Sequence, residues 1–312
     1  MIEASKDRKN QCPICESNNI AFQSIYRNNS VYFKNLNKFI CNNCELVFAN
    51  PMPNNKILEE YNSNYHLNAH GEYQREEKLN AFFRGIAKTR IDTLKNNIKL
   101  YNSSNYNVLE IGPGPGIFAN EWLKEKNASN YYAIETDISL HKNLKKQGVK
   151  LLKENDIKNY DNYFDIIVIS HVLEHVSDPV NFLKCYLPML KKKGHLFIEV
   201  PCKDWDHKNE DEPHLLFFDK KSMIRLAEKL KIEIVFLGYF GTKIKHLKNP
   251  LHKLVKKIRE KLFYKNINFY HSQKRKLRRM LDSNLEANLL INYSAHIEQN
   301  EPSWWLRVII KK

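Results

Sequence analysis

Three periodicities follow one another along this chain. Between residues 20 and 40 the strand formers Phe22, Ile25, Tyr26, Val31, Tyr32, Phe33, Phe39 and Ile40 are interrupted by Asn28-Asn29-Ser30, a pattern that predicts a β-hairpin. From about Asn54 to Leu100 a polar stretch carries Leu79, Phe82, Phe83, Ile86, Ile91 and Leu94 at helical spacing, which predicts two or three helices. Asn107-Val108-Leu109-Glu110-Ile111 is then a short apolar run, followed by alternating glycines and a helical stretch with Phe118, Trp122 and Leu123: strand, tight turn, helix. Further on, Asn249 and Pro250 open a stretch in which Leu251, Leu254, Val255, Ile258 and Leu262 share one helical face opposite Lys253, Lys256, Lys257 and Lys261. Trp304-Trp305-Leu306-Arg307-Val308-Ile309-Ile310-Lys311-Lys312 reads as a final strand.

A length of 312 residues predicts one large domain with a smaller module, or two medium ones. Hydrophobic residues at 42% and charged residues at 27% are ordinary globular usage, which excludes wholesale disorder. No run approaches the roughly 18 apolar residues of a membrane span, and the polar start Met1 to Arg8 lacks the apolar core of a signal peptide, so the expected compartment is the cytoplasm. The net charge of +15 is concentrated: between Gly241 and Leu281 fourteen Lys and Arg face Glu260 alone, +13, and the rest of the chain carries only +2. Only this segment argues for an anionic partner.

Four of the six cysteines form two Cys-x-x-Cys pairs, Cys12/Cys15 and Cys41/Cys44. Two residues between cysteines let both thiolates converge on one ion, and two such turns complete a tetrahedral shell with no open position, so the expected ligand is a structural Zn2+. Disulfides are the competing reading, disfavoured in a reducing cytoplasm. The metal would hold a small ribbon that has too little core of its own.

The turn Glu110-Ile111-Gly112-Pro113-Gly114-Pro115-Gly116 has the spacing Gly-x-Gly-x-Gly, with Ile117 where a dinucleotide fold wants its third glycine. It resembles motif I of class I S-adenosylmethionine (SAM)-dependent methyltransferases. The resemblance implies an α/β, Rossmann-like seven-stranded sheet and SAM as cofactor, with Glu110, Gly112, Pro113, Gly114 and Gly116 around it. By the same similarity Glu135, closing the run Tyr131 to Ile134, is the acid that grips the ribose, and Asp156-Ile157 is the pair that approaches adenine. Asp165 to Ile169, Gly194 to Pro201 and Glu233 to Phe240 resemble the fourth, fifth and sixth strands, and the final strand resembles the antiparallel seventh, which pairs with the sixth. The chain thus divides into a zinc ribbon (1–50), a helical connector (51–104), the SAM-binding core (105–240), a basic helical insertion (241–302) and the last strand (303–312).

His171, Glu174 and His175 stand at i, i+3 and i+4 and share one face of a helical turn. The run resembles the magnesium-binding turn of ubiquinone-pathway O-methyltransferases, with His171 in place of an acid. The other reading has His171 lining the cofactor pocket near the sulfonium and Glu174 and His175 bonded to each other and to backbone. Glu212-Pro213-His214, followed by Leu215-Leu216-Phe217-Phe218, resembles the stretch before a Tyr/Phe-Phe run in sugar C-methyltransferases, which also carry an N-terminal zinc module. The resemblance makes His214 the base, with Glu212 or His207 assisting; no tyrosine adjoins these histidines, and Trp205 stands nearby instead. 

The expected function is methyl transfer to oxygen or carbon of a sugar or glycan intermediate for surface polysaccharide, small or lipid-linked, with residues 249–281 offered to an anionic membrane surface at its inner face. RNA methylation is the runner-up: zinc and basic charge favour it, while the Asn/Asp-Pro-Pro-Tyr signature is missing after Ile169 and basic residues are not interleaved with aromatics outside one segment, so nucleic acid is not the expected partner. A non-catalytic binder is the third reading, opposed by the intact Gly112, Gly114, Gly116 and Glu135.

Overall fold

The computed structural model describes residues 10–63, 65, 77–98, 100, 105–125, 130–251, 254, 258 and 297–312. The cysteine-bearing ribbon consists of β1 (Ile20–Ile25), β2 (Asn37–Cys41) and β3 (Val47–Asn50) in antiparallel succession. The hairpin is present, but residues 31–33 form its long connection rather than strand. Among the described residues two helices follow, α1 (Asn55–Ser63) and α2 (Glu77–Asn97).

The large sheet and its helices follow: β4 (Asn107–Ile111), α3 (Ile117–Glu125), β5 (Asn130–Ile134), α4 (Ile138–Lys146), β6 (Lys150–Leu151), β7 (Phe164–Ser170), α5 (Pro179–Tyr186), β8 (Leu190–Pro201), then the short β9 (Leu216–Phe217), which belongs to the ribbon sheet, and α6 (Lys220–Leu230), β10 (Glu233–Lys243), α7 (Ile244–Lys248) and β11 (Ser303–Lys311). Its seven strands lie in the order β10-β11-β8-β7-β4-β5-β6. The five inner and far strands are parallel, whereas β11 runs antiparallel to both β8 and β10, as expected for the final strand. β10 continues to Lys243, three residues into the segment expected to be insertion.

Strand alternation decides what each face buries. Val108, Tyr131, Ala133, Val168, Phe197 and Ile309 pack beneath α2, α3 and α4, with Trp122 fully buried. Leu109, Ile111, Ile134, Ile169, Ile198 and Val308 face the other way, toward α5, α6 and the ribbon. The ribbon's Phe33, Leu46 and Phe48 belong to that same apolar cluster. A direct link adds to it: β9 pairs with β3, so the ribbon sheet is completed by a strand from the segment that carries His214.

Helix starts follow capping chemistry. Asp137 accepts from the Ser139 amide to open α4, and Asp178 accepts from the Asn181 amide with Pro179 at the first position of α5. Asp219 and Ser222 form a reciprocal capping box at α6. Of the expected basic helix, residues 249–251, 254 and 258 are described, with Leu251, Leu254 and Ile258 exposed; the rest of the insertion expectation, to residue 296, lies outside the described residues.

Candidate active site

The glycine turn leaves β4 at the carboxyl edge of the sheet. Gly112 (φ +66°), Gly114 (φ +54°) and Gly116 (φ +76°) all adopt left-handed backbone, which side chains resist. Their surroundings differ. A Cβ on Gly112 would stand 2.6 Å from Val172 Cγ2, and one on Gly116 would meet Gln147 Oε1 at 2.4 Å and Leu144 Cδ2 at 2.7 Å. At Gly114 nothing lies within 4 Å, so this residue borders open space. The Gly116 amide bonds back to the Pro113 carbonyl, and Asn143 and Gln147 of α4 both donate to the Pro115 carbonyl, which fixes the turn.

Glu135 ends β5 beside it. One carboxylate oxygen accepts from the Gly114 amide and the other from the Asp137 amide, each at 2.9 Å, so the group is oriented while lone pairs remain for a vicinal diol. A backbone turn with free space at Gly114 and a preset acid one strand over fits a nucleoside such as SAM: Gly112 to Gly116 and Glu135 would hold it, and when bound it supplies an electrophilic methyl on sulfur. Asp156 and Ile157 lie in a 3-10 turn after β6, where the Asp156 carboxylate accepts from the Lys153 amide and Ile157 is packed against the core. Glu110, expected among the cofactor groups, has a partner inside the protein instead. It is 3% exposed, accepts from the Tyr131 hydroxyl at 2.7 Å, and burial pushes its pKa up to about 7.

Beyond β7 the chain turns sharply at His171 (φ +56°) into the 3-10 turn Leu173–His175. His171 Nε2 lies 3.1 Å from Glu199 and Nδ1 lies 3.3 Å from Glu174. Nε2 is at hydrogen-bonding distance from Glu199 and Nδ1 faces the Glu174 carboxylate, so a charged ring would be paired on both sides. Burial opposes this charge, yet the two carboxylates raise the His171 pKa above its usual value. Glu199 is in turn held by Arg90 (Nε at 2.8 Å) and by Arg307 (Nε at 2.6 Å), whose guanidinium also donates to Thr89 and Thr93 of α2. Glu199 and Arg307 are both fully buried. His171 is therefore held between two buried carboxylates. Sequence reading missed this network, although a single Glu in Leu196–Val200 and a single Arg in Leu306–Ile310 are a matching pair of lone charges in apolar strands.

His214, the residue expected as base, is 9% exposed. Its Nδ1 lies 2.5 Å from the Asp204 carboxylate, and its Nε2 stands free of hydrogen-bonding distance, 3.9 Å from Glu174 Oε1. Burial works against the Asp204 charge, but His214 and Lys208 hold that carboxyl far below its ordinary range. An ionised Asp204 takes the proton on Nδ1 and leaves Nε2 as the lone pair. His175 stacks edge-on at 4.9 Å from the His214 ring; its Nδ1 faces the Pro213 carbonyl at 3.3 Å, and burial lowers its pKa to about 4, keeping it neutral. Glu174 lies nearer His171 (3.3 Å) than His175 (3.7 Å), so the expected Glu174–His175 hydrogen bond is replaced by a carboxylate shared among three imidazoles. Tyr65, distant in sequence, meets the His175 ring edge-on at 5.6 Å between centroids. Glu212, expected as a helper, accepts from the Asn29 and Ser30 amides of the ribbon, while the carboxylate that reaches His214 is Asp204. His207 donates its backbone amide to the Asp204 carbonyl at 3.1 Å, and its Nε2 is buried without a hydrogen-bond partner among the described residues.

The four ribbon thiols lie together: Cys12–Cys44 3.5 Å, Cys15–Cys41 3.4 Å and Cys15–Cys44 3.8 Å between sulfurs. Disulfides need about 2.05 Å. A zinc ion with bonds of about 2.3 Å gives tetrahedral edges of about 3.8 Å, so the donor set fits a closed thiolate site.

The strand order, the glycine turn and the acid ending the next strand define the fold of class I SAM-dependent methyltransferases. The chain belongs to the methyltransferase-domain family, whose model matches residues 72–237, more than half its length. It is 26% identical over 127 residues to ubiquinone biosynthesis O-methyltransferases of Yersinia pestis and Yersinia pseudotuberculosis, covering 36% of this chain. The chain spans about half (50%) the length of these curated relatives. Among solved structures, phosphoethanolamine N-methyltransferase 2 of Haemonchus contortus aligns with a TM-score of 0.49 at 13% identity, covering 85% of this chain and 62% of that one. A possible histamine N-methyltransferase of Thermotoga maritima aligns with a TM-score of 0.46 at 17% identity, covering 75% and 91%.

Proposed function

We propose that this protein is a SAM-dependent methyltransferase whose acceptor is a hydroxylated small molecule, a sugar or glycan intermediate, deprotonated by His214. The observation that carries the reading is the buried Asp204–His214 pair with a free Nε2 at the carboxyl edge of the sheet. Asp204 fixes the ring and its tautomer. Nε2 would take the acceptor proton as the acceptor oxygen, or an acidic carbon, bonds to the methyl carbon and the methyl–sulfur bond breaks to leave a neutral thioether, and Glu174 would stabilise the imidazolium that forms. The remaining work is orientation in a site from which water is excluded. The aromatic wall of Tyr65 and Tyr61, beside a buried polar cluster, suits a ring with polar edges and apolar faces. Anionic acceptors, including lipid-linked diphosphates at a membrane surface, are the reading given to the basic segment from residue 241; among the described residues no helix is long and apolar enough to cross a membrane.

Incubation with methyl-labelled SAM and a panel of nucleotide sugars tests this. The expected outcome is transfer that falls about 100-fold or more in His214→Gln and Asp204→Asn with SAM affinity retained. Transfer unchanged by His214→Gln would sink the base assignment, and label in RNA but in no sugar would overturn the acceptor class.

A further inference from the structure

The base pair lies in the segment from Asp204 to His214, yet the groups that hold that segment come from the ribbon nearly 180 residues earlier. Arg27 follows β1. Its NH1 donates to the Lys208 carbonyl and its NH2 to the Trp205 carbonyl, each at 2.6 Å, which grips the turn that presents Asp204. The same guanidinium donates through Nε (3.0 Å) and NH2 (2.5 Å) to Asp211, and the Arg27 amide adds a third bond at 2.7 Å. Lys38 of β2, 1% exposed, donates to the same carboxylate, which is itself fully buried. Asp211 closes a turn onto the base, because its carbonyl accepts the His214 amide at 2.8 Å. The His214 carbonyl, finally, accepts the Tyr26 hydroxyl at 2.9 Å.

Both backbone polar groups of His214 and both sides of the Asp204–His214 contact are thus fixed through Tyr26, Arg27 and Lys38. A buried lysine and an arginine on one carboxylate are a costly way to close a loop that a plain apolar contact would close as well. What they add is direction, since a forked guanidinium that reaches two carbonyls and a carboxylate admits a single placement.

We propose that Arg27, with Lys38 and Tyr26, is a positioning residue for the base: the ribbon sets the distance between Asp204 and His214 and so the presence of the lone pair on Nε2. The inference rests on the assignment of His214 as base, but its test does not require an acceptor. A carboxylate-bonded Nδ1 proton gives a strongly downfield proton resonance, assigned by its loss in His214→Gln. The expected result is that Arg27→Met and Tyr26→Phe lose or markedly shift this resonance while SAM affinity by calorimetry stays within about twofold, and Arg27→Lys, which keeps one charge but not the fork, falls between. With a methylated acceptor in hand, kcat falls about tenfold or more in Arg27→Met with the KM for SAM unchanged. Retention of the resonance in both Tyr26→Phe and Arg27→Lys overturns the proposal, and these two mild variants carry the test if Arg27→Met does not fold. Full transfer by His214→Gln would remove the base assignment while leaving the tether to stand or fall on the resonance.

Discussion

Individual side chains here are matched to their chemistry by burial and by the partner that burial supplies. Glu110 is the clearest case for a measurement. Its pKa rises from 4.5 to about 7 because burial penalises the charged form. The unfolded carboxyl ionises above 4.5, so this group's contribution to stability is present below that pH and is lost as pH climbs through about 7. Glutamine keeps an acceptor for Tyr131 and never ionises. Glu110→Gln is therefore expected to match the parent near pH 4 and to exceed it by about 1–3 kcal/mol at pH 8, read by urea denaturation at both values. Equal stability differences at the two pH values would show that Glu110 is not the group being titrated. The sequence declared Glu110 as part of a motif but not which way it points, since strand parity relative to the two faces is set only when the sheet assembles.

At the level of elements, the glycine turn was legible because its constraint is local: three positive φ angles in five residues leave few alternatives to Gly. The roles of the three glycines were not legible, because they depend on α4 and on the His171 turn. Those roles separate on substitution. Gly112→Ala drives a methyl into Val172 and should cost about 2–4 kcal/mol of stability from overpacking and left-handed strain together. Gly114→Ala meets no protein atom, so it should cost only about 1 kcal/mol by thermal denaturation while weakening SAM binding about tenfold or more, because its methyl enters the open space beside the turn. A Gly114→Ala protein that binds SAM as the parent does would remove this turn from the cofactor site. The acceptor loop was only half legible. His214 stood out by its neighbours in sequence, whereas Asp204, ten residues away, and Tyr65 are brought to it by packing that no local pattern encodes.

On the scale of the molecule, the cysteine-bearing ribbon and the sheet share one apolar cluster, and β9 pairs with β3 of the ribbon. The four cysteines were legible because ligand spacing is covalent; that the ribbon would reach the base was not, because Arg27 and Lys38 look like ordinary surface cations until Asp211 comes to meet them. A chelator strong enough to strip the thiols is expected to release about one zinc equivalent and to abolish the downfield His214 resonance before it abolishes SAM binding. Simultaneous loss of both would mean that the ribbon supports the whole sheet rather than the loop. 

Strand β11 has one more consequence. It sits between β8 and β10, although β10 ends at Lys243 and β11 begins at Ser303. A nascent chain that has left the ribosome as far as β10 has an open slot in the middle of its sheet, with Glu199 lacking Arg307 and the β8 edge free to pair with any extended segment. Closure of the sheet therefore waits for β11, and chaperone occupancy during translation should persist until residues 303–311 have emerged.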